Sequence, residues 1–206
     1  MIVEKLPVGP VQTNCYLVGC KQTRQAVLID PGWDAELLLR SAKALDLTIN
    51  LILITHAHFD HIGAVADVVD ATGAQVALHP LDLNWLCLGG GASAFGFEIR
   101  SVPAPAVELA HGQRIDVGTL SFETRHAPGH TQGHVVFVEA RQRAVFVGDV
   151  LFQGGIGRTD LPGGDYATLI SSIRSQLLTL PDDTQVYAGH GPPTTIGIER
   201  ETNPFL

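Results

Sequence analysis

Residues 51–64, Leu-Ile-Leu-Ile-Thr-His-Ala-His-Phe-Asp-His-Ile-Gly-Ala, decide how the rest of this chain is read. The run from Leu51 to Thr55 is apolar without alternation, the pattern of a strand in a sheet covered on both faces. It passes directly into His56, His58, Asp60 and His61. From Asp60 the pattern predicts a helix through residues 62–71, ending near Gly73. At a strand end, residues i and i+2 point the same way, so His56 and His58 can ligate one metal ion. Asp60 and His61, on the first helical turn, face elsewhere and can serve a second ion. Neutral imidazole with carboxylate suits first-row divalent cations such as zinc, iron and manganese. Chance yields this HxHxDH pattern on the order of once in a thousand such chains, so a His-rich surface turn explains it poorly.

Working outward, residues 11–18 and 26–30 read as strands. Pro31-Gly32 breaks the second, and Asp34 is placed to cap a helix over residues 35–45. Asp30 ends a strand; it can orient a ligand imidazole or serve as a turn aspartate before Pro31. Residues 75–78 predict a strand and 81–88 a short helix. The Gly-, Ser-, Ala- and Pro-rich stretch 89–105 predicts a long surface loop, of the kind that forms lids or substrate walls. The second half predicts strands at 114–117, 119–125, 135–139, 144–147 and 185–188. A Gly-rich loop at 153–164 leads to a helix over 166–180.

Several of these segments stop at ligand-type residues: His130 after Pro128-Gly129, Asp149 after Gly148, and His190 after Gly189. Strand ends gathered at one rim would bring them to the main motif. His130 then gives one ion a third imidazole, and His190 joins Asp60 and His61 on the other. Asp149, with two oxygens, can bridge both. Two such ions, about 3.5–4 Å apart, supply a strong nucleophile from water at neutral pH.

The chain has 206 residues, 45% apolar and 17% charged, which predicts one globular domain over 1–206. Strands and helices in this order predict an α/β (α+β) fold with two sheets covered by helices. Lys and Arg number 13 against 21 Asp and Glu, a net charge of −8. Without a basic cluster, that balance excludes nucleic acid and anionic membrane as partners. No apolar run approaches the roughly 18 residues of a membrane span, and the start has no signal-peptide pattern. Three cysteines form no disulfide framework and read as small buried groups in a reducing cytoplasm.

Among the weaker candidates, Arg158 suits a substrate carboxylate, or an ion pair with Asp160 or Asp165. Thr131 and His134 are expected to stiffen the loop bearing His130. His79, His111 and His126 lack ligand spacing and read as structural. Trp33, Trp85 and Phe95 can line a pocket or fill a core.

The stretches THAHFDHIGA (55–64), APGHTQGH (127–134), VGDVLF (147–152) and YAGHG (187–191), with LIDPG (28–32), resemble the metallo-β-lactamase superfamily. They occur in order over nearly the whole chain. The resemblance implies a four-layer αββα sandwich with a binuclear metal site. It implies His56, His58 and His130 on one ion, Asp60, His61 and His190 on the other, and Asp149 bridging. Residues 155–165 and the ending GIERETNPFL (197–206) are similar to the short, single-domain relatives of glyoxalase II, the hydroxyacylglutathione hydrolases. That similarity implies hydrolysis of a small-molecule thioester by a metal-bridging hydroxide, with zinc, iron or manganese as the ions and Asp60 orienting the hydroxide. The glutathione-gripping helical domain of the long enzymes has no counterpart in the 16 residues after His190. Arg158 stands where those enzymes have lysine. Two rival readings share the motif. A mononuclear iron persulfide dioxygenase would use His56, His130 and Asp149, and a lactonase would use the same hydroxide chemistry.

Overall fold

The Val-, Ile- and Leu-rich runs of the first half pair into a six-stranded sheet in the computed structural model, which describes residues 1–206. Its strands are β1 (Ile2–Val8), β2 (Thr13–Gly19), β3 (Gln25–Ile29), β4 (Thr48–Leu53), β5 (Gln75–Leu78) and β6 (Val107–Glu108), in that spatial order. β1 to β3 pair antiparallel, and β3 to β6 pair parallel. Parallel neighbours need crossover connections. The helices α1 (Ala35–Ala44), α2 (Phe59–Ile62) and α3 (Val65–Thr72) supply two of them, and α4 (Leu83–Cys87) lies within the third. α1 turns Leu38 and Ala42, one helical turn apart, into a core with Ile52, Ile54 and Val65. The packing of the chain assigns residues 1–109 with 116–121 to this first unit, and residues 110–115 with 122–206 to a second.

Three expectations are corrected in the first unit. The helix after Asp60 is two helices, because the 31–32 turn lies on its backbone. A Cβ on Gly32 would fall 1.7 Å from the Asp60 carbonyl oxygen, and the Ala64 amide instead donates to the Pro31 carbonyl at 2.9 Å. Asp34 does not cap α1 with its side chain; its Oδ2 accepts the Gly9 amide at 2.9 Å. The 89–105 stretch begins as tight helical turns over Gly89–Phe95, and Phe95 and Phe97 pack on the Phe59 ring at centroid distances of 5.3 Å. β1 was not foreseen. It carries Pro7 and sits at the sheet edge, where the missing amide is tolerated.

The second sheet has the order β14-β13-β10-β9-β8-β7. Its members are β7 (Arg114–Val117), β8 (Leu120–His126), β9 (Val135–Glu139), β10 (Ala144–Gly148), β13 (Gln185–Ala188) and β14 (Thr194–Thr195). β11 (Leu151–Phe152) and β12 (Gly155–Ile156) form a small hairpin of their own. β9 and β10 are buried along their whole length, as their continuous apolar sequences require. β10 pairs parallel with β13, and one extra residue between Phe146 and Gly148 makes a bulge just before Asp149. α5 (Tyr166–Ser172) starts at Asp165, whose Oδ1 accepts the Thr168 amide at 2.7 Å. The expected helix to residue 180 widens after Ser172 into a π-helical turn over Ile173–Leu177, with Leu169, Ile173 and Leu177 inward. α6 (Ile196–Thr202), unforeseen in sequence, is capped by Thr195, whose Oγ1 accepts the Ile198 amide at 3.3 Å. No helix is long and apolar enough to cross a membrane.

Candidate metal centre

In the first unit, the donors stand where β4 has ended and α2 begins. Asp30 leaves β3 with a left-handed backbone (φ 53°) and is buried. Its Oδ1 accepts the Thr55 amide at 2.7 Å, and its Oδ2 accepts the Thr55 hydroxyl at 2.6 Å. Oδ2 also lies 3.0 Å from His61 Nδ1. A carboxylate only accepts, so the His61 proton sits on Nδ1 and the Nε2 lone pair is presented outward. The Thr55 hydroxyl has one proton, already given to Asp30. At 3.1 Å from His56 Nδ1 it must therefore accept, and His56 too presents Nε2 as a lone pair. Of the two roles open to Asp30, imidazole orientation is the one observed.

Asp60 Oδ2 accepts the Thr13 hydroxyl at 2.8 Å and lies 3.4 Å from His61 Nε2. That separation is longer than an ordinary N–H···O hydrogen bond. Two ligand atoms on one tetrahedral ion, each about 2.0–2.1 Å from it, stand about 3.3 Å apart. The observed spacing fits a shared cation. The His56 and His58 rings cross at 86° with centroids 4.7 Å apart, and Trp85 meets His58 edge-on at 4.8 Å. Between the two histidines, the Ala57 amide donates to the buried Asp82 carboxylate at 3.0 Å.

In the second unit, the bulge delivers Asp149 to two imidazoles. Its Oδ2 lies 3.8 Å from His130 Nε2 and 3.5 Å from His190 Nε2. His130 Nδ1 is 2.8 Å from the Arg158 carbonyl, which can only accept, so Nε2 is again the lone-pair atom. The Asp149 amide donates to His134 Nε2 at 3.1 Å, which fixes the ligand-bearing turn from behind. His134 thus acts on Asp149 as well as on the loop of His130, whose ring it meets edge-on at 5.9 Å and whose Ala127 amide donates to its carbonyl at 2.8 Å. Gly157 lies flat on Asp149: a Cβ there would fall 1.8 Å from its carbonyl oxygen and 3.3 Å from His130 Nδ1.

The Arg158 side chain engages its neighbour. Its Nε and one terminal nitrogen each donate to Asp160 at 2.7 Å, a bidentate fork. That hydrogen bonding holds the Asp160 carboxyl at about 2. His79 and His111 accept backbone amides, from Leu81 at 3.3 Å and His126 at 3.2 Å, which are structural roles. His126 Nε2 meets the Gln132 carbonyl at 2.8 Å. Cys15 and Cys20 are buried and Cys87 is exposed on α4, and all three are free thiols. Burial, with Asp30 nearby, pushes the Cys15 thiol up.

Sequence reading missed Thr13, the proton-directing role of Thr55, and Asp82. It also missed that Arg158 serves His130 through its main chain, for which no side-chain signal exists.

Comparison with known proteins gives one family and a consistent set of relatives. Residues 8–190 match the metallo-beta-lactamase superfamily. The hydroxyacylglutathione hydrolase GloC of Haemophilus influenzae is 40% identical over 221 residues, spanning 100% of this chain and 98% of that protein. The crystal structure of the BLEG-1 B3 metallo-beta-lactamase is 43% identical and superposes with a TM-score of 0.94, covering 100% of this chain and 99% of its own. TTHA1623 in a di-iron-bound form is 46% identical with a TM-score of 0.92, covering 99% and 100%.

Proposed function

Because the chain belongs to the metallo-beta-lactamase superfamily as a metallo-hydrolase, we propose that it hydrolyses thioesters in the manner of a hydroxyacylglutathione hydrolase. The observation that carries the metal-dependent part is the spacing of ligand-type atoms: Asp60 Oδ2 to His61 Nε2 at 3.4 Å, and Asp149 Oδ2 to two imidazoles at 3.5 and 3.8 Å. These distances suit donors that share a cation and do not suit hydrogen bonds between them. The identity with GloC supports the substrate class.

In this reading His56, His58 and His130 would hold one divalent ion, and Asp60, His61 and His190 would hold the other. Asp149, one oxygen of which faces both His130 and His190, would be a ligand common to both. Each residue offers one ligand atom, an imidazole nitrogen or a carboxylate oxygen. Zinc and iron both suit this donor set, and a di-iron relative supports the second. When bound, such a pair supplies water ionised near neutral pH and a positive field for the carbonyl oxygen.

The chain's own residues do the rest. Thr13 occupies Asp60 Oδ2 and fixes the carboxylate, so its other oxygen can hold the proton of the attacking water. Attack at the thioester carbonyl breaks the C–S bond. The leaving thiolate has an ordinary pKa near 8.5, so no strong acid is needed to expel it. Arg158 is the proposed contact for a substrate carboxylate, which would take the place of Asp160 in its fork. The family match runs through both units, which supports reading 1–206 as one functional domain. The substrate is a soluble small molecule, and the proposed compartment is the cytoplasm.

Elemental analysis of the purified protein, alongside lactoyl-thiol, lactone, β-lactam and persulfide substrates, tests the reading. About two metals per chain with preferred thioester cleavage supports it. One iron per chain with oxygen uptake on persulfide overturns it in favour of a dioxygenase. Preferred lactone or β-lactam cleavage overturns the substrate class alone.

A further inference from the structure

Helix α6 carries a carboxylate that the proposed chemistry does not use. Glu199 is wholly buried, yet its oxygens are fully engaged. Oε1 accepts the Thr194 hydroxyl at 2.6 Å. Oε2 accepts the Gly154 amide at 2.9 Å and the Asn203 side-chain amide at 2.8 Å. Asn203, one helical turn on, also donates to the Gly155 carbonyl at 3.0 Å and lies 3.5 Å from that of Phe152. Both side chains thus hold a single object, the β11–β12 hairpin.

That hairpin and the residues directly after it reach His130, Asp149 and His190. The Phe152 ring stands edge-on to His190 at 6.1 Å. Directly after β12, Gly157 lies against the Asp149 carbonyl, and the Arg158 carbonyl fixes the His130 proton on Nδ1. We propose that Glu199, with Asn203, is a positioning residue of the metal centre: through the hairpin, it sets His130 and His190 about Asp149. This rests on the reading that those three residues hold ions.

The test uses full-length protein stripped of metal and titrated with cobalt(II), whose visible absorption reports ligand geometry. In E199A, three donors lose their acceptor. In E199Q, the side-chain oxygen keeps Gly154 and Asn203, and the Thr194 hydroxyl turns round to accept the new amide, so the hairpin stays tied. N203A cuts the ties to the hairpin carbonyls and to Glu199, together with the bond that the Phe205 amide donates to Asn203 Oδ1 at 3.1 Å. The expected result is cobalt affinity lowered about 10- to 100-fold in E199A, with an altered spectrum, as for other groups that orient ligands. N203A should fall between E199A and wild type, and E199Q within about twofold of wild type. Circular dichroism and thermal melting run alongside. A merely structural role lowers the melting temperature and leaves the cobalt affinity and spectrum of the folded protein unchanged. That pattern in E199A, or in N203A should E199A not fold, overturns the proposal. Wild-type protein that binds no cobalt overturns the metal-centre reading itself, a distinct outcome.

Discussion

Replacing Asp30 by Asn changes almost no volume and should nevertheless disable two imidazoles. The carboxylate accepts three hydrogen bonds, from the Thr55 amide, the Thr55 hydroxyl and His61 Nδ1. With the asparagine oxygen kept on the Thr55 amide, its NH2 falls at the old Oδ2 position and can only donate. His61 Nδ1 must then accept, which moves its proton to Nε2, the atom that faces Asp60. The Thr55 hydroxyl must also turn round to accept, which sends its own proton toward His56 Nδ1, 3.1 Å away, and shifts the second imidazole likewise. Each charge-assisted bond lost is worth about 1.5–3 kcal/mol, so the two made by Oδ2 amount to roughly 3–6 kcal/mol before any relaxation. Loss of one orienting partner typically lowers metal affinity 10- to 100-fold; with two ligands disturbed, the upper end of that range or beyond is expected. Zinc affinity by chelator competition reads the effect, and nitrogen NMR of the metal-free protein reads which ring nitrogen carries the proton. An Asp30→Asn protein with wild-type zinc affinity and protons still on Nδ1 of both rings would refute the reasoning.

Three further outcomes follow from the same geometry. Asp149→Ala removes the oxygen between His130 and His190, so metal content and turnover should both fall by orders of magnitude; full metal load at the wild-type rate sinks its assignment. Arg158→Ala should raise KM about tenfold with kcat little changed, the mark of a lost carboxylate contact. In the same variant the Asp160 carboxyl, held at about 2 in the wild type, should titrate near its ordinary value in carbon NMR. The sign is that of a depressed carboxylate: the ion pair persists as pH falls through 3.8 and is lost only toward 2. Gly157→Ala sets a methyl group 1.8 Å from the Asp149 carbonyl oxygen, so the turn must move; metal loss per folded chain should exceed that of Gly155→Ala, where a Cβ meets only the Phe152 Cβ at 3.8 Å.

The parts of the fold that were legible are those where burial writes directly into composition. β9, β10 and the end of β4 at Ile52 and Leu53 are buried and so appear as apolar runs. The candidate donors were equally legible, since few residue types can hold a divalent ion, and the structure groups the same residue types by threes within 4.8 Å of one another. Contacts between distant segments were not. The break between α2 and α3 is caused by Gly32 seated on the Asp60 carbonyl, a neighbour 28 positions earlier. Asp34 looked like a cap because its sequence neighbourhood says nothing of the Gly9 amide. Arg158 was noticed for its charge, while the group that touches His130 is a carbonyl every residue possesses.

The irregularity at Phe146–Gly148 has an implication for how this chain can vary. Deleting one residue there would give β10 and β13 an uninterrupted ladder, but a one-residue slip turns every following side chain to the opposite face. Asp149 would turn away with them. Val147, Val150 and Leu151 are wholly buried, so the same deletion would also empty or expose core positions: one register serves both the packing of this strand and the direction of Asp149.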